Sequence, residues 1–182
     1  AAIASSFHMG RGDEKAADQA AVNAMRDFLN ELDVNGRVVI GEGERDKAPM
    51  LYIGETIGKG EVKVDIALDP LEGTTITAQG GENALSVLAI VEEGSFLHAP
   101  DIYMKKIAYG YKYENLEINI DDEPSKIVKE FSNFSKIRAE NIVVCILDRP
   151  RHQELINEVR STGARIKLIP DGDVSAVQHL HH

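Results

Sequence analysis

The chain has 182 residues and a formal net charge of −10, with 43% hydrophobic and 27% charged residues. This composition is typical of a soluble globular protein with one or two compact domains. The acidic surplus argues against nucleic acid as a partner, because phosphate backbones are bound by surplus Lys and Arg. No apolar run approaches the roughly 20 residues that cross a membrane, so no membrane partner is predicted.

The single cysteine, Cys145, excludes an internal disulfide. It lies in the apolar run 142–147 and is predicted to be a small buried hydrophobic residue. The start of the chain lacks the pattern of a secretory signal, and together these features indicate a cytoplasmic protein. The chain begins without Met and stops at histidines 179, 181 and 182, where a new helix should start. We therefore expect both ends to be cut and the histidines to be a tag remnant or an expression scar, with a metal site as the alternative.

A helix is predicted over residues 13–32, which are rich in Ala and contain no Gly or Pro. Its apolar stripe consists of Ala21, Val22, Met25, Phe28 and Leu29. Asp18 extends this stripe by one turn with a carboxylate, which is costly at the edge of a buried face unless it is paired or bound to metal. The alternative is an exposed acid near the helix start, where the helix dipole favours it.

A short strand over residues 37–40 ends at the sequence Gly-Glu-Gly-Glu, residues 41–44. Residues two apart in an extended segment face the same side, so Glu42 and Glu44 are predicted to point together. The glycines let the backbone pass close to another group. The alternative is an ordinary solvated loop.

The segment 65–75 reads Asp-Ile-Ala-Leu-Asp-Pro-Leu-Glu-Gly-Thr-Thr and is the most informative part of the chain. An apolar strand over 62–68 delivers Asp69, and Glu72 follows after a proline turn. Two carboxylates repel at close range, but a hard divalent cation between them, such as Mg²⁺, resolves the repulsion. Thr74 follows Gly73 and either orients a water molecule or caps the next helix.

The middle of the chain is predicted to contain further short strands. Residues 84–91 and 95–97 are interpreted as a hairpin around Glu93 and Gly94. Residues 107–120 contain more strand-like pieces, and residues 122–134 form an amphipathic helix.

From about residue 135 the pattern becomes a βαβ unit, with strands 142–147 and 165–169 on either side of a helix over 151–161. Ligands of open α/β sheets bind beyond the carboxyl ends of the strands. Arg149 and Arg151 follow the first strand and are candidates to bind a phosphate, with a solvated helix start as the alternative. Asp171 and Asp173 follow the second and suit sugar hydroxyls, or form an ordinary turn. His152 is interpreted as an ordinary surface residue.

Four carboxylates stand where a helix face or strand end gives way to a loop: Asp18, Glu42, Asp69 and Glu72. Two divalent ions held by such a set can clamp a phosphoryl group, polarise its oxygens and lower the pKa of a bound water. The residues therefore favour metal-dependent phosphoryl chemistry on a small phosphorylated ligand, although the net charge is negative.

Several segments in order resemble class II fructose-1,6-bisphosphatases of the bacterial type, between about residues 10 and 174. They comprise residues 10–13 with 16–18, residues 41–44 with 48–55, and the Asp-Pro-Leu-Glu-Gly-Thr motif at 69–74. They continue with residues 100–106, residues 149–152 and residues 170–174. The metal motif is shared more loosely with inositol monophosphatase-like enzymes.

The resemblance implies an α/β protein with the layered αβαβα sugar-phosphatase fold of the inositol monophosphatase and fructose-1,6-bisphosphatase superfamily. It divides the chain into a metal-binding α+β half, residues 1–134, and the start of a second α/β half, residues 135–182. It implies hydrolysis of the 1-phosphate of fructose 1,6-bisphosphate in gluconeogenesis, or of sedoheptulose 1,7-bisphosphate, by a homo-oligomer, a dimer or a tetramer.

By position, the resemblance assigns Mg²⁺ or Mn²⁺ ligands to Asp18, Glu42, Asp69 and Glu72. Thr74 corresponds to the residue that helps to activate water. The substrate-binding positions are Gly73, Thr74, Tyr103, Arg149, Arg151, Asp171 and Asp173. Of these, Tyr103, Arg149 and Arg151 correspond to residues that meet the distal phosphate, and Asp171 and Asp173 to residues that face the sugar.

The sequence also departs from the family. Family chains continue into a segment whose glutamate binds metal, and this chain has no such segment, so the second half is expected to be incomplete. Residues 6–9 and 109–113 are unlike typical members. The alternatives are a related phosphatase of inositol or nucleotide phosphates, and a truncated or engineered fragment without catalysis.

Overall fold

The structure is a computed structural model that describes residues 1–43, 50–97 and 102–181. Two compact units make up the chain, residues 1–102 and residues 103–182. The domain boundary predicted between residues 134 and 135 falls within the second unit. Glu44, predicted to point with Glu42, lies outside the described residues.

The first unit is a mixed sheet with helices. Its helices are α1 (Ala2–Ser6), α2 (Glu14–Leu29) and α3 (Thr74–Gln79), and its strands are β1 (Asn35–Ile40), β2 (Thr56–Ile57), β3 (Lys63–Glu72) and β4 (Leu85–Glu92). The strand order is β2-β1-β3-β4. β1 and β3 run parallel, and the two outer pairings are antiparallel.

Helix α2 covers one face of this sheet. Its apolar stripe packs against alternate residues of β1 and β3, in a cluster of Val22, Met25, Leu29, Val38, Leu51, Ile57, Ile66 and Leu68. The predicted helix is confirmed, and Asp13 caps it by accepting a hydrogen bond from the backbone N–H of Ala16 at 3.0 Å. Phe28 was wrongly predicted in the stripe, since it is 79% exposed. Phe28 lies on the same edge of α2 as Ala17 and Ala21. Leu71 covers this edge only near the start of the helix, where it packs against the two alanines.

The hairpin predicted around Glu93 and Gly94 is wrong. β4 pairs with β3 from Val64 opposite Glu92 to Glu72 opposite Leu85, and residues 95–97 form no strand. Helix α3 reverses the chain between β3 and β4, which makes this long antiparallel pairing available. The turn after β4 closes onto β3 instead, because the N–H of Gly94 donates to Oδ2 of Asp65 at 2.7 Å.

The described part of the second unit contains a parallel strand pair, three α-helices and four single 3₁₀ turns. Its α-helices are α4 (Pro124–Ser135), α5 (Gln153–Ser161) and α6 (Asp173–Gln178), and its strands are β5 (Val143–Leu147) and β6 (Arg165–Ile169). Single 3₁₀ turns cover Tyr111–Tyr113, Ala139–Asn141, Pro150–His152 and His179–His181. The parallel register from Val143 opposite Arg165 to Leu147 opposite Ile169 confirms the predicted βαβ unit.

The strand-like pieces predicted over residues 107–120 are wrong, since this stretch contains one 3₁₀ turn and no strand. Aromatic packing takes their place. The rings of Tyr109 and Tyr113 lie 6.5 and 4.8 Å from that of Phe131 on α4. The Tyr109 hydroxyl donates to the carbonyl of Leu116 at 2.8 Å.

Cys145 was predicted to be buried and is exposed. The core of the second unit lies between α4, α5 and one face of the β5–β6 pair, and it contains Ile146 but not its neighbour. Successive residues of a strand point to opposite faces, so Cys145 points away from this core. Within the described residues, no helix is both long enough and apolar enough to span a membrane.

Candidate functional site

The carboxyl end of β3 carries Asp69 and Glu72 on one face of the sheet. Residues three apart in a regular strand would face opposite sides. Here the register shifts, with Asp69 opposite Val87 and Glu72 opposite Leu85. The extra residue in β3 is a bulge that changes the parity, so both carboxylates lie on the side to which Val87 and Leu85 belong.

The turn that follows is held by its own side chains. Oδ1 of Asp69 accepts from the N–H of Leu71 at 3.0 Å, and the Ser86 hydroxyl donates to the carbonyl of Pro70 at 2.8 Å. Gly73 then adopts φ 100° and forms the N-cap of α3, so Thr74 is the first helical residue rather than the cap. Thr74 is half-buried beside the buried residues Glu72 and Gly73.

Glu42 lies just beyond β1, in a segment bound to the backbone of residues 50–55. Its N–H donates to the carbonyl of Leu51 at 2.9 Å, and the N–H of Ile53 donates to the carbonyl of Gly43 at 2.9 Å. Glu42 is half-buried, so the alternative of a freely solvated loop does not describe it.

The register of β1 against β3 brings Glu42 towards Asp69. Val38 pairs with Ile66 and Ile40 with Ala67, so one extra residue is accommodated in β1. Extrapolated two residues past the end of β1, this register places Glu42 opposite Asp69, which agrees with the effect of the Asp69 charge on Glu42. Without the extra residue in β1, the same extrapolation would place Gly41 opposite Asp69.

Burial and repulsion between carboxylates dominate the electrostatics of this region. Burial, followed by the charges of Asp18 and then Asp69, raises the pKa of Glu42 to about 7. Burial also raises the pKa of Asp18, which is half-buried on α2 rather than an exposed acid. The charges of two other predicted ligands, Asp18 and Asp69, therefore act on Glu42 and disfavour its ionisation.

The residues fit a hard divalent cation in donor chemistry and in charge. Carboxylate oxygens are the ligands that Mg²⁺ and Mn²⁺ select, and a cation would relieve the repulsion around Glu42. Among the described residues, however, no three acidic, His or Cys side chains converge closely enough to hold an ion. The structure thus brings Asp18, Glu42 and Asp69 into electrostatic contact without gathering them into coordination geometry.

The second unit places the predicted arginines and aspartates just after the carboxyl ends of β5 and β6. The guanidinium of Arg151 lies 4.7 Å from the ring centroid of Tyr103, within cation–π distance. Arg149 donates through Nη1 to the carbonyl of Asp148 at 3.2 Å and to that of Pro170. These bonds connect the two strand ends and, among the described residues, use only Nη1 of the guanidinium.

Asp171 and Asp173 follow β6, and both are half-buried. Gly172 between them has φ 81° and caps α6, whose first residue is Asp173. The ammonium of Lys106 lies 3.6 Å from Oδ2 of Asp173. The segment is therefore a helix cap with the ammonium group of Lys106 beside it, and not the ordinary turn that was the alternative.

Comparison with known proteins decides the family. A family model described as bacterial fructose-1,6-bisphosphatase, glpX-encoded, matches residues 1–181. The chain belongs to this family. The resemblance seen in the sequence is thereby confirmed.

Curated members of the bacterial fructose-1,6-bisphosphatase family are similar to the chain over almost all of its length. The D-fructose 1,6-bisphosphatase class 2/sedoheptulose 1,7-bisphosphatase of Trichodesmium erythraeum (strain IMS101) is 46% identical over 189 residues, which cover 97% of this chain and 54% of that protein. Proteins of the same description from Synechococcus sp. (strain JA-2-3B'a(2-13)) and Synechocystis sp. (strain ATCC 27184 / PCC 6803 / Kazusa) are each 47% identical, with the same coverage. The chain spans about half the length of these relatives.

Several residues of this fructose-1,6-bisphosphatase family member were missed by sequence reasoning. Glu55 and Asp65 are buried carboxylates, paired with Arg26 at 2.9 Å and with Arg37 at 3.5 Å. Their sequence signal is a charge within an apolar stretch, but the partners lie on other elements and cannot be read locally. His152 is half-buried rather than on the surface, and its Nδ1 lies 2.8 Å from the carbonyl of Leu147.

Proposed function

We propose that the protein is a divalent-metal-dependent phosphatase that converts fructose 1,6-bisphosphate to fructose 6-phosphate and phosphate, a gluconeogenic reaction. We propose that it also accepts sedoheptulose 1,7-bisphosphate. The observation that carries this proposal is the family match over residues 1–181. The relatives' description names both bisphosphatases, which supports both substrates.

The acidic cluster at the carboxyl end of the first sheet is proposed to bind Mg²⁺ or Mn²⁺. Its ligands are Asp18, Glu42, Asp69 and Glu72. The raised pKa of Glu42 supports this role, because mutual repulsion among carboxylates is relieved by a cation. When bound, the cation supplies positive charge that polarises the phosphoryl oxygens and acidifies a water molecule.

The groups of the chain itself are proposed to orient the reactants. The Thr74 hydroxyl, next to the buried Gly73 and Glu72, holds the attacking water in line with the phosphorus. The water oxygen forms a new bond to phosphorus as the bond from phosphorus to the sugar oxygen breaks. The water gives up a proton to solvent or to the product phosphate, and the departing sugar oxygen takes one up.

Residues of the second unit are proposed to bind a phosphate group and sugar hydroxyls. Arg151 and Arg149 bind the distal phosphate by forked hydrogen bonds, and the aromatic face of Tyr103 orients the guanidinium of Arg151. Asp171 and Asp173 accept hydrogen bonds from sugar hydroxyls. The pair of Arg149 and Arg151 favours a substrate with two separated phosphates over a monophosphate.

The finer architectural and cellular assignments are also proposals. The mixed α/β units are compatible with the layered αβαβα fold of the sugar-phosphatase superfamily, with a metal-binding half over residues 1–134 and a second half that begins at residue 135. A homo-oligomer, a dimer or a tetramer, follows from the family resemblance. A cytoplasmic location is supported by the single cysteine, which leaves the chain without an internal disulfide.

Phosphate release tests the proposal directly. The purified protein should release phosphate from fructose 1,6-bisphosphate and sedoheptulose 1,7-bisphosphate with added Mg²⁺ or Mn²⁺, and EDTA should abolish the release. An inositol monophosphate and a nucleoside monophosphate serve as competing substrates in the same assay. Faster release from either competitor, or release that survives EDTA, would overturn the proposal.

A further inference from the structure

Glu55 is a buried carboxylate with a specific set of partners. Its side chain is 8% exposed, Oε1 accepts from Nε of Arg26 at 2.9 Å, and Oε2 accepts from the N–H of Tyr52 at 3.3 Å. A buried ion pair is weak evidence for stability, because desolvation offsets much of the attraction and an apolar pair often serves as well. The role of the Arg26–Glu55 pair must therefore lie in the elements of structure that it connects.

The backbone of Glu55 attaches the same residue to the sheet. Its carbonyl accepts from the N–H of Val38 on β1 at 2.9 Å, and its N–H donates to the carbonyl of Tyr52 at 2.9 Å. Through Arg26 the side chain reaches α2. Glu55 thus joins a loop, a strand and a helix in the first unit.

That loop holds Glu42 in place. Leu51 is fully buried with a left-handed φ of 57°, and its carbonyl accepts from the N–H of Glu42. A Cβ on Gly41 would lie 2.3 Å from this carbonyl, so the two backbones are in the closest contact that glycine permits. A shift of the loop would therefore displace Glu42 with it.

Arg26 connects Glu55 to the helix that also carries Asp18. Arg26 follows Asp18 on α2 by eight residues, which is about 12 Å along a rigid helix axis. The contact between Arg26 and Glu55 consequently sets the distance between the helix that carries Asp18 and the loop that carries Glu42.

We propose that Arg26 and Glu55 form a positioning pair for the acidic cluster, which fixes the helix that carries Asp18 relative to the loop that holds Glu42. Neither residue touches the substrate or the cation. The inference rests on the proposed function, since it takes the cluster to be a metal site.

The chain offers a matched control in Asp65. This carboxylate is also buried, at 4% side-chain exposure, and also accepts from one arginine and one backbone N–H, those of Arg37 and Gly94. It lies on the same sheet but contacts neither α2 nor the 50–55 loop in these bonds. Glu55→Gln and Asp65→Asn therefore remove comparable charges with different connections.

Mn²⁺ affinity of the purified protein, measured by isothermal titration calorimetry alongside thermal melting, tests the proposal. Glu55→Gln should weaken Mn²⁺ binding about tenfold or more, as loss of an orienting partner does at metal sites. Asp65→Asn should lower the melting temperature to a similar extent and leave Mn²⁺ affinity within about twofold. Arg26→Gln, at a half-exposed position, should repeat the affinity loss with a smaller change in melting temperature.

The double variant completes the test. If the two residues act as one unit, Arg26→Gln with Glu55→Gln should bind Mn²⁺ no more weakly than the weaker single variant. Equal Mn²⁺ affinity for the wild type, Glu55→Gln and Arg26→Gln would overturn the positioning role while leaving the proposed function intact. A wild-type protein that binds no Mn²⁺ would overturn both.

Discussion

Asp69 and Glu72 face the same side of the sheet although three positions separate them along β3. The bulge opposite Val87 and Leu85 produces this parity. It turns a strand end that would present a single carboxylate into one that presents a pair of carboxylates, the type of ligand that hard divalent cations select.

Asp69→Asn should cut phosphate release by about a thousandfold or more, because an amide is a poor ligand for a hard cation. The amide oxygen can still accept from the N–H of Leu71, so the turn should persist. Steady-state kinetics with Mg²⁺ and a thermal melt measure the two effects. Asp27→Asn, at an exposed position on α2, is the control and should leave both unchanged. Full turnover in Asp69→Asn would remove Asp69 from the proposed ligand set.

The metal-free protein should lose stability as the pH rises towards 7. Burial and the charges of Asp18 and Asp69 raise the pKa of folded Glu42 to about 7 from its usual 4.5. Between these values the folded state binds more protons than the unfolded state, so the free energy of unfolding falls with rising pH. The contribution is complete below pH 4.5 and is lost as the pH passes 7.

Melting temperatures in EDTA across this range measure that loss, which we expect to be about 1–2 kcal/mol after solvent screening of a half-buried group. Glu42→Gln removes the titrating group and should flatten the profile. Saturating Mn²⁺ should do the same by neutralising the cluster. A rise in stability between pH 5 and 7 that Glu42→Gln abolishes would contradict the assigned direction.

Gly73→Ala should destabilise the first unit and disturb Thr74. Gly73 has φ 100°, and a Cβ there would lie 3.3 Å from Cα and Cβ of Ala84. Left-handed strain together with overpacking predicts a loss of about 2–3 kcal/mol in the free energy of unfolding. Gly94→Ala provides the comparison, because φ is 81° and no described residue other than its chain neighbours lies within 4 Å of the added Cβ. Urea denaturation should show a loss of only about 1 kcal/mol for Gly94→Ala, and equal losses would refute the steric argument.

Arg151→Gln should raise KM for fructose 1,6-bisphosphate about tenfold to a hundredfold, because a charge-assisted contact to phosphate is lost. The change in kcat should be smaller, since the proposed contact lies at the phosphate that does not react. Tyr103→Phe should preserve the cation–π contact and Tyr103→Ala should not. Lys112→Gln removes a similar contact, 4.9 Å from the ring centroid of Tyr113, and should leave KM unchanged. A rise in KM confined to Lys112→Gln would show that the distal phosphate binds elsewhere.

The elements that depend on local periodicity were predictable. Helix α2, strand β1 and the βαβ unit of β5, α5 and β6 follow from apolar spacing and turn residues within a few positions of one another. The partner of β4 was not predictable in this way. An alternating strand beside Glu93 and Gly94 suits a hairpin locally, and only the pairing with β3 across α3 shows otherwise.

In the candidate site, too, only the features that depend on local sequence were predictable. The residue types at Asp69 and Glu72 indicate a cation site. The bulges that align them with each other and with Glu42 cannot be recognised from the local sequence. The role of Glu55 cannot be recognised from the local sequence either, because it depends on Arg26, which is distant in sequence. The exposure of Cys145 depends on which face of a strand pair receives helices, and an apolar run alone does not specify that.

The pairing of β5 with β6 has a consequence for how the protein opens. β3 is hydrogen-bonded on both sides, by β1 and β4, whereas β5 and β6 pair only with each other among the described residues. Amide protons on the outer edges of the parallel pair should therefore exchange with deuterated solvent well before those of β3. The second unit would then open in local fluctuations that leave the strand bearing Asp69 closed.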